Sequence, residues 1–324
     1  MKVIIPVAGK GTRMRPFTHT QPKSLLPVAG KPVIDHILEK ILPLQPTEIV
    51  FVTGHLKRRF EEEVRRAYPH LPCTFVEQRE QRGTADAIWS ARHAFTEDVL
   101  IVFSDTIFDF PLTAALDRTD DGVFWAVRVP DPSHYGVLVP DASGHLTRIV
   151  EKPKEFITDL VNIGLYYVKD TALLSKGIEH AYAIAKEGDE VWLTSAFQYM
   201  IDHGARIGVE PVAGWYDTGT TAQTLRSNKE LLEKYPGHAP RIPGVTIIPP
   251  VAIDGSAMLE NCTIGPHVSI AARAHVKDST ISNSILDRGA VVHDATLTDS
   301  IVGMEAHVHG TVAKVFLGDH SRIE

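Results

Sequence analysis

The feature that most constrains this chain is a change of period near residue 250. Beyond it, single aliphatic residues recur every six positions: Ile264, Ile270 and Val276, then Ile285, Val291 and Leu297, then Val302 and Val308. Small and turn-forming residues fill the gaps, and the runs slip near "DSTISNSI" and "TDSI". A six-residue period belongs to a parallel β-helix, in which each coil stacks its aliphatics on the coil below. The competing reading is a Gly/Ser/Asp-rich β-sandwich, which has to place eight aliphatics in three phase-locked runs by accident. The spacing predicts a β-helix over residues 251–324.

Before the change, short β-rich runs alternate with helix-period segments. The predicted strands are 3–7, 49–53, 73–77, 99–103, 123–129, 146–151 and 163–168. In "KPVIDHILEKILPL", Val33, Ile34, Ile37, Leu38, Ile41 and Leu42 make one apolar face, with Pro32 in the first turn. "TADAIWSARHAF" repeats the pattern with Ala85, Ile88 and Ala91–Arg92. Such alternation predicts an α/β fold, a mostly parallel Rossmann-like sheet with helices on both faces. Between the two styles, "YPGHAPRIPGVTIIPP" carries five prolines and two glycines. It reads as a boundary, giving 1–235, a linker at 236–250, and the β-helix at 251–324.

The formal net charge of −7 argues against general binding to nucleic acid or a membrane surface, which needs excess positive charge. Cys73 and Cys262 are far apart and outside any CxxC spacing, so neither a disulfide framework nor a structural zinc site is expected. The apolar start breaks at glycine too early for a signal peptide, and no run is long enough for a membrane span. A cytoplasmic protein is expected.

Against that acidic background, "AGKGTRMRPFTHTQPKSLLP" (8–27) is purely basic. From Met1 to Ile34 there are six Lys/Arg and no Asp/Glu. Met14 stands where a dinucleotide fingerprint needs a third glycine, and Gly11 breaks the Walker pattern. A glycine-containing loop after a first parallel strand is nevertheless where such sheets bind ligands. Its N–H groups can approach phosphate oxygens. Arg13 suits a bidentate phosphate clamp and Lys23 a point charge. This points to a polyanion such as a nucleoside triphosphate; the plainer alternative is a solvated basic loop.

"GKGTRMRPFT...PKSLLPVAGKPVI" closely resembles the signature of the sugar-1-phosphate nucleotidyltransferases, the enzymes that make NDP-sugars. The resemblance continues in order through "EQREQRGTADA" (77–87), "VFSD" (102–105), "HYGVLVPD" (134–141), "IVEKP" (149–153), "VNIGLYYV" (161–168) and "WYDTGT" (215–220). It implies attack by a sugar 1-phosphate on the α-phosphorus of an NTP, releasing pyrophosphate, with a left-handed form for the β-helix. It also implies roles. Ala8, Gly9, Gly11 and Thr12 form the nucleotide loop, and Arg13 and Lys23 are catalytic. Gln78, Gly83 and Thr84 read the base. Asp105 and Asp217 hold Mg²⁺; Asp105 also follows an apolar strand, a natural place for a metal carboxylate. Gly136, Glu151, Lys152 and Asn162, with Thr218, bind the sugar phosphate. A glutamine amide offers a donor and an acceptor, enough for O4 and N3–H of uracil or thymine, and it also matches adenine. Tyr135 and Tyr166 fit packing equally well. Ser104 replaces the family's usual Gly before the metal Asp, Thr106 a frequent Asn after it, and Val7-Ala8-Gly9 the commoner start of the loop.

The favoured reaction joins dTTP or UTP to glucose 1-phosphate. The alternatives are a mannose-1-phosphate guanylyltransferase and a non-catalytic nucleotide-sugar-binding regulatory subunit. No nucleic-acid or membrane partner is expected. The resemblance suggests a homo-oligomer assembled through the tail. His307 and His309 lie two apart on a predicted strand, where a metal site competes with plain solvated surface.

Overall fold

Runs such as Val3–Ile5, Ile49–Val52 and Val99–Val102 have almost no polar residue, which marks strands covered on both faces. The computed structural model describes residues 1–237, 240–310 and 312–323. His238 and Ala239 of the expected linker, and Thr311 and Glu324 of the expected tail, lie outside the described residues.

Strand Lys2–Pro6 pairs in parallel with Glu48–Thr53 on one side and Val99–Val102 on the other, and Cys73–Glu77 extends the first side. The chain reverses its direction of sheet building at the first strand, so the loop after Pro6 opens at a topological switch point. Beyond Val99–Val102 the sheet is mostly antiparallel, although Ile207–Pro211 pairs in parallel with Gly122–Arg128. Leu160–Val168 runs antiparallel to Val99–Val102, and Gly136–Pro140 and Leu146–Glu151 follow as a hairpin. The physical reason is the connections: from Gly122 to Val168 no described helix provides a crossover, and antiparallel pairing is what direct connections allow. Two strands, Gly136–Pro140 and Ile207–Pro211, were not among those expected. The expected apolar face of the first long helix is present: Val33, Ile34, Ile37, Leu38 and Ile41 are buried on Val33–Ile41. Pro32 instead ends a two-residue strand, and Arg92 is exposed.

The tail forms three five-stranded parallel sheets, the prism of a β-helix consistent with the left-handed form. Val245 pairs with Cys262 and Ile285 with Ile301, so a coil takes 17 residues at first and 16 later. A 17-residue coil has one side of five residues and a 16-residue coil has two, and this shifts the expected phase. The inward aliphatics of the middle coils are Leu286, Val292 and Leu297, so Leu297 holds while Ile285 and Val291 are each one residue off. Corner residues Asn261, Asp278, Asn283, Asp294 and Asp299 adopt left-handed backbone. Short Asx side chains tolerate that conformation. Asn261 also donates to Asp278 Oδ1 one coil on (2.6 Å).

The chain divides into two compact units. One comprises Met1–Gly9 and Leu38–Trp215; the other comprises Lys10–Ile37 and Tyr216–Glu324. This division differs from the expected boundary at 236–250. In the second unit Met14, Phe17 and Leu26 of the signature segment share one apolar cluster with Leu225 of the helix Thr221–Lys234 and with Ile285 and Ile301 of the β-helix. Composition marks where secondary structure changes; side-chain burial decides which segments pack as one unit. Cys73 and Cys262 are free.

Candidate active site

In the first unit, the hairpin strand Gly136–Pro140 and its neighbours bring Gly136, Glu151 and Asn162 together. A Cβ on Gly136 would stand 2.1 Å from Asn162 Nδ2, 3.1 Å from Thr194 Cγ2 and 3.3 Å from Glu151 Oε2, so only glycine fits. Asn162 Nδ2 donates to the Gly136 carbonyl (2.9 Å), and its Oδ1 accepts from the Tyr166 hydroxyl (2.6 Å). Burial pushes the Glu151 carboxyl above the usual carboxylate range, with Lys152 and the Thr194 hydroxyl pulling it back. Lys152 has a left-handed backbone (φ +42°). Its ammonium stands 4.2 Å from the Trp192 ring centroid and 3.9 Å from Glu151 Oε1. The result is a polar cradle with a carboxylate, amide and hydroxyl at one rim and a cation at the other.

Tyr166 connects this cradle to Asp105. Its ring packs against Phe103, Phe124 and Phe197, and its hydroxyl lies in the field of both Glu151 and Asp105. Asp105 sits in a turn just after Val99–Val102. Phe103 N–H donates to Gly164 O (2.8 Å), and the Thr106 hydroxyl donates to Ile163 O. Gly164 has φ +76°, and a Cβ there would meet the Phe103 ring at 2.7 Å. Thr106, where the family often has Asn, thus serves to hold the Asp105 turn.

The segment expected to read the base is more committed than the sequence suggests. Gln78 Nε2 donates to Asp86 Oδ2 (2.7 Å) and to Gly83 O (3.2 Å). Asp86 also accepts from the Tyr182 hydroxyl. A carboxylate only accepts, so the Gln78 amide cannot turn over without losing this bond. Both amide hydrogens are therefore used within the protein, and what Gln78 has to offer a ligand is its Oε1 acceptor. Gly83 has φ +124°, and a Cβ there would meet Val191 O at 2.5 Å; its need for glycine arises from that strand-like approach rather than from a base. The Thr84 hydroxyl accepts from Leu193 N–H (2.9 Å). Ala8 is buried, and its carbonyl accepts from His55 N–H and from the Gln81 amide.

In the second unit, Gly11 (φ +58°) turns the chain into the short 3₁₀ helix Thr12–Met14, leaving Thr12 and Arg13 exposed while Met14 is buried. A Cβ on Gly11 would meet Thr18 Cγ2 at 2.8 Å, and the Thr18 hydroxyl donates to Gly11 O (2.8 Å). Gly9 meets no such constraint. The Arg13 guanidinium and the Asp217 carboxylate flank Gly219. A Cβ on Gly219 would lie 2.9 Å from Asp217 Oδ1 and 3.6 Å from Arg13 Nη2. Asp217 is buried and accepts from Gly219 N–H (2.7 Å) and the Gln223 amide. Thr218 is also buried. Lys23 opens a 3₁₀ helix, Lys23–Leu25, and is half-buried.

Residues 2–234 match the family described as nucleotidyl transferase. The chain belongs to that family. Among the relatives of this nucleotidyl transferase is the glucose-1-phosphate thymidylyltransferase of Streptomyces antibioticus, 29% identical over all of this chain and 99% of the relative. The bifunctional protein GlmU of Methanococcus maripaludis is 30% identical over 72% of this chain; the match spans 55% of GlmU's own length. The UTP–glucose-1-phosphate uridylyltransferase AglF of Haloferax volcanii is 30% identical over 66% of this chain and 89% of AglF. A UDP-glucose pyrophosphorylase solved with UDP-glucose has the same fold, with a TM-score of 0.63 at 23% identity, over 72% of this chain and 98% of that one.

Five side chains of these surroundings carried no role in the sequence reading: Asp86, Trp192, Thr194, Trp215 and Gln223. Trp215 lies inside a quoted motif, and its buried Nε1 has no hydrogen-bond partner among the described residues. Thr194 and Trp192 sit at a helix start, Leu193–Asp202, where Trp-Leu-Thr is unremarkable; nothing local marks them. Among the described residues no three His, Cys, Asp or Glu group so as to hold a metal. The tail histidines follow the plainer reading: Val308 between them is buried, His307 is half-buried and His309 is exposed. No described helix is long and apolar enough to cross a membrane.

Proposed function

We propose that this nucleotidyl transferase joins a nucleoside triphosphate to a sugar 1-phosphate, giving an NDP-sugar and pyrophosphate, with dTTP or UTP and glucose 1-phosphate as the favoured pair. The observation that carries the reading is the Arg13–Asp217 arrangement about Gly219, which sets a guanidinium beside a buried carboxylate. A phosphate oxygen of the sugar attacks the α-phosphorus as pyrophosphate leaves in line. Such transfers need positioning and charge neutralisation, not a protein nucleophile. Arg13 and Lys23 neutralise the triphosphate, and the loop Ala8–Thr12 follows it with backbone N–H groups. Lys152 receives the sugar phosphate, while Glu151, Asn162 and the Gly136 backbone receive hydroxyls.

Asp105 and Asp217 are the proposed magnesium carboxylates. Magnesium is usually held by one or two carboxylates with substrate phosphates and water, so the lack of a three-ligand protein cluster among the described residues suits it. When bound it supplies charge neutralisation at the phosphates. The 1–235 segment is the proposed catalytic domain. The protein is read as a cytoplasmic homo-oligomer without nucleic-acid or membrane partners, with exposed Ile248, Met258 and Phe316 of the tail unit offering apolar surface for assembly.

The fixed Gln78 acceptor supports the choice of base. N3–H of thymine or uracil donates to it, whereas N3 of cytosine and N1 of adenine are acceptors and leave only an exocyclic amine to donate. Guanine N1–H also donates, which makes a mannose-1-phosphate guanylyltransferase the second reading. A panel of NTPs against hexose 1-phosphates, followed by pyrophosphate release with Mg²⁺, tests both. No release with any pair, with nucleotide still bound, leaves the regulatory-subunit alternative. In Asp86→Asn the amide is free to turn over, and the preference for UTP or dTTP over CTP and ATP should fall by about tenfold, the worth of one hydrogen bond. An unchanged ratio removes Gln78 as the reader.

A further inference from the structure

The β-helix has features that its own stacking does not require. Ile285 and Ile301, in register on successive coils, are buried outside the prism's interior, against Met14, Phe17, Leu26 and Leu225. Gly318 is a glycine where a Cβ would stand 2.9 Å from Pro16 Cβ. Gly303 is a glycine where a Cβ would stand 2.5 Å from Asp319 Oδ1, and that oxygen accepts Met304 N–H at 2.9 Å. The carboxylate of Asp319 is thereby fixed by β-helix backbone, and its other oxygen accepts from the Thr20 hydroxyl (2.6 Å). Two coils earlier, Asp287 is buried. Its Oδ1 accepts from Arg288 N–H (2.6 Å), and its Oδ2 receives the Gln21 amide (3.3 Å). Gln21 Nε2 also donates to Leu25 O (3.0 Å), closing the turn that contains Lys23.

Apart from Leu225 and the bonds within the β-helix itself, these contacts land on the signature segment, within four residues of Arg13 or Lys23. Met14 is the neighbour of Arg13, and Gln21 lies two residues before Lys23. The segment itself is a string of three short 3₁₀ turns, Thr12–Met14, Phe17–His19 and Lys23–Leu25. Such turns have few internal bonds with which to hold a geometry. Misplacing a charged group by an ångström is costly in a transfer that depends on positioning.

We infer that the β-helix is the support of the triphosphate-binding segment, and that Asp319 and Asp287 are positioning residues acting on Arg13 and Lys23 through Thr20 and Gln21. The inference rests on the proposed nucleotidyl transfer. It gives the tail a role in each subunit's own chemistry, in addition to any role in assembly.

The test is steady-state kinetics on the full chain, with NTP and sugar 1-phosphate varied separately. Thr20→Val and Asp319→Ala remove one fastening from its two sides; Thr20→Ser and Asp319→Asn keep a hydrogen bond, because the threonine hydroxyl can also accept. In the first pair the NTP KM should rise and kcat fall by about fivefold or more each, with the sugar-phosphate KM within about twofold. The second pair should lie near wild type, and the double variant Thr20→Val/Asp319→Ala should be no worse than the poorer single. Wild-type constants in Thr20→Val and Asp319→Ala overturn the inference. So does a fall in kcat with both KM values unmoved, which reports only a smaller folded fraction. A wild-type chain that turns over no NTP overturns the proposed function instead. The inference is then decided by NTP affinity from calorimetry, where the same order of variants upholds it and equal affinities overturn it.

Discussion

The polar cradle of Gly136, Glu151 and Asn162 and the signature segment solve the same problem, fixing polar side chains, by opposite means. In the cradle, Gly136, Glu151 and Asn162 lie on strands whose register sets them side by side, Glu151 opposite Gly136 in the hairpin. The backbone does the positioning. The signature segment has no ladder to rely on. Its residues are held by an apolar cluster and by two carboxylates that arrive some 266 and 299 residues later in the chain. Strand-borne sites are fixed once the sheet forms, whereas a loop-borne site is only as firm as what it leans on.

The largest effect should come from Asp105, the proposed metal carboxylate on the sheet side. Asp105→Asn keeps the shape of its turn, which is held by Phe103, Thr106 and Gly164, while removing a charge at the phosphates. Turnover should fall by about 10³-fold or more with the thermal midpoint nearly unmoved. Activity within a few-fold of wild type would remove Asp105 from the machinery. Next is Gly136→Ala, which attacks the backbone-built cradle. Its methyl has to displace Asn162 Nδ2 from 2.1 Å. The sugar-phosphate KM should rise by about tenfold or more while the NTP KM changes little, the mirror image of the loop variants. Equal changes in both would erase the distinction between the two regions.

The smallest effect concerns stability. Burial pushes the Asp287 carboxyl up to about 6, with Asp319 adding to the rise against the pull of its Arg288 contacts and Gln21. The folded state therefore holds that proton more tightly than the unfolded one, and the stability gained from it is lost as pH climbs from about 4 to about 6. The loss amounts to roughly 3 kcal/mol or less. Asp287→Asn does not titrate, so the difference in unfolding free energy between wild type and variant should move in the variant's favour across that window. Urea unfolding at pH 4.5 and 7.5 measures it; parallel pH dependences would show that Asp287 does not carry the proton.

The comparison also explains what could be read in the sequence. Strand and helix periods outlined the sheet, and the six-residue period outlined the β-helix, because both are local patterns. The antiparallel half was missed because alternation alone says nothing about pairing direction; the short connections after Gly122 do. Ile285 and Val291 were assigned inward because a five-residue side leaves no mark in a run of aliphatics. The same slip hid the outward pair on which the signature segment rests. Gln78 is singled out by its motif as the proposed base reader, but its orientation depends on Asp86, which in sequence is an ordinary acid in the first turn of a helix. Arg13 and Lys23 stood out as cations of an acid-free segment, and Asp217 only through its motif. Their supports, Thr20, Gln21, Asp287 and Asp319, are commonplace residues whose meaning comes from tertiary contact.

The outward pair Ile285–Ile301 breaks the translational symmetry of the repeat. A β-helix whose coils were all equivalent could gain or lose one without consequence to anything but its length. Here two particular coils carry an address. A transplanted tail with flawless inward stacking and polar residues at those two positions would still fold, yet it would leave the triphosphate segment without a footing.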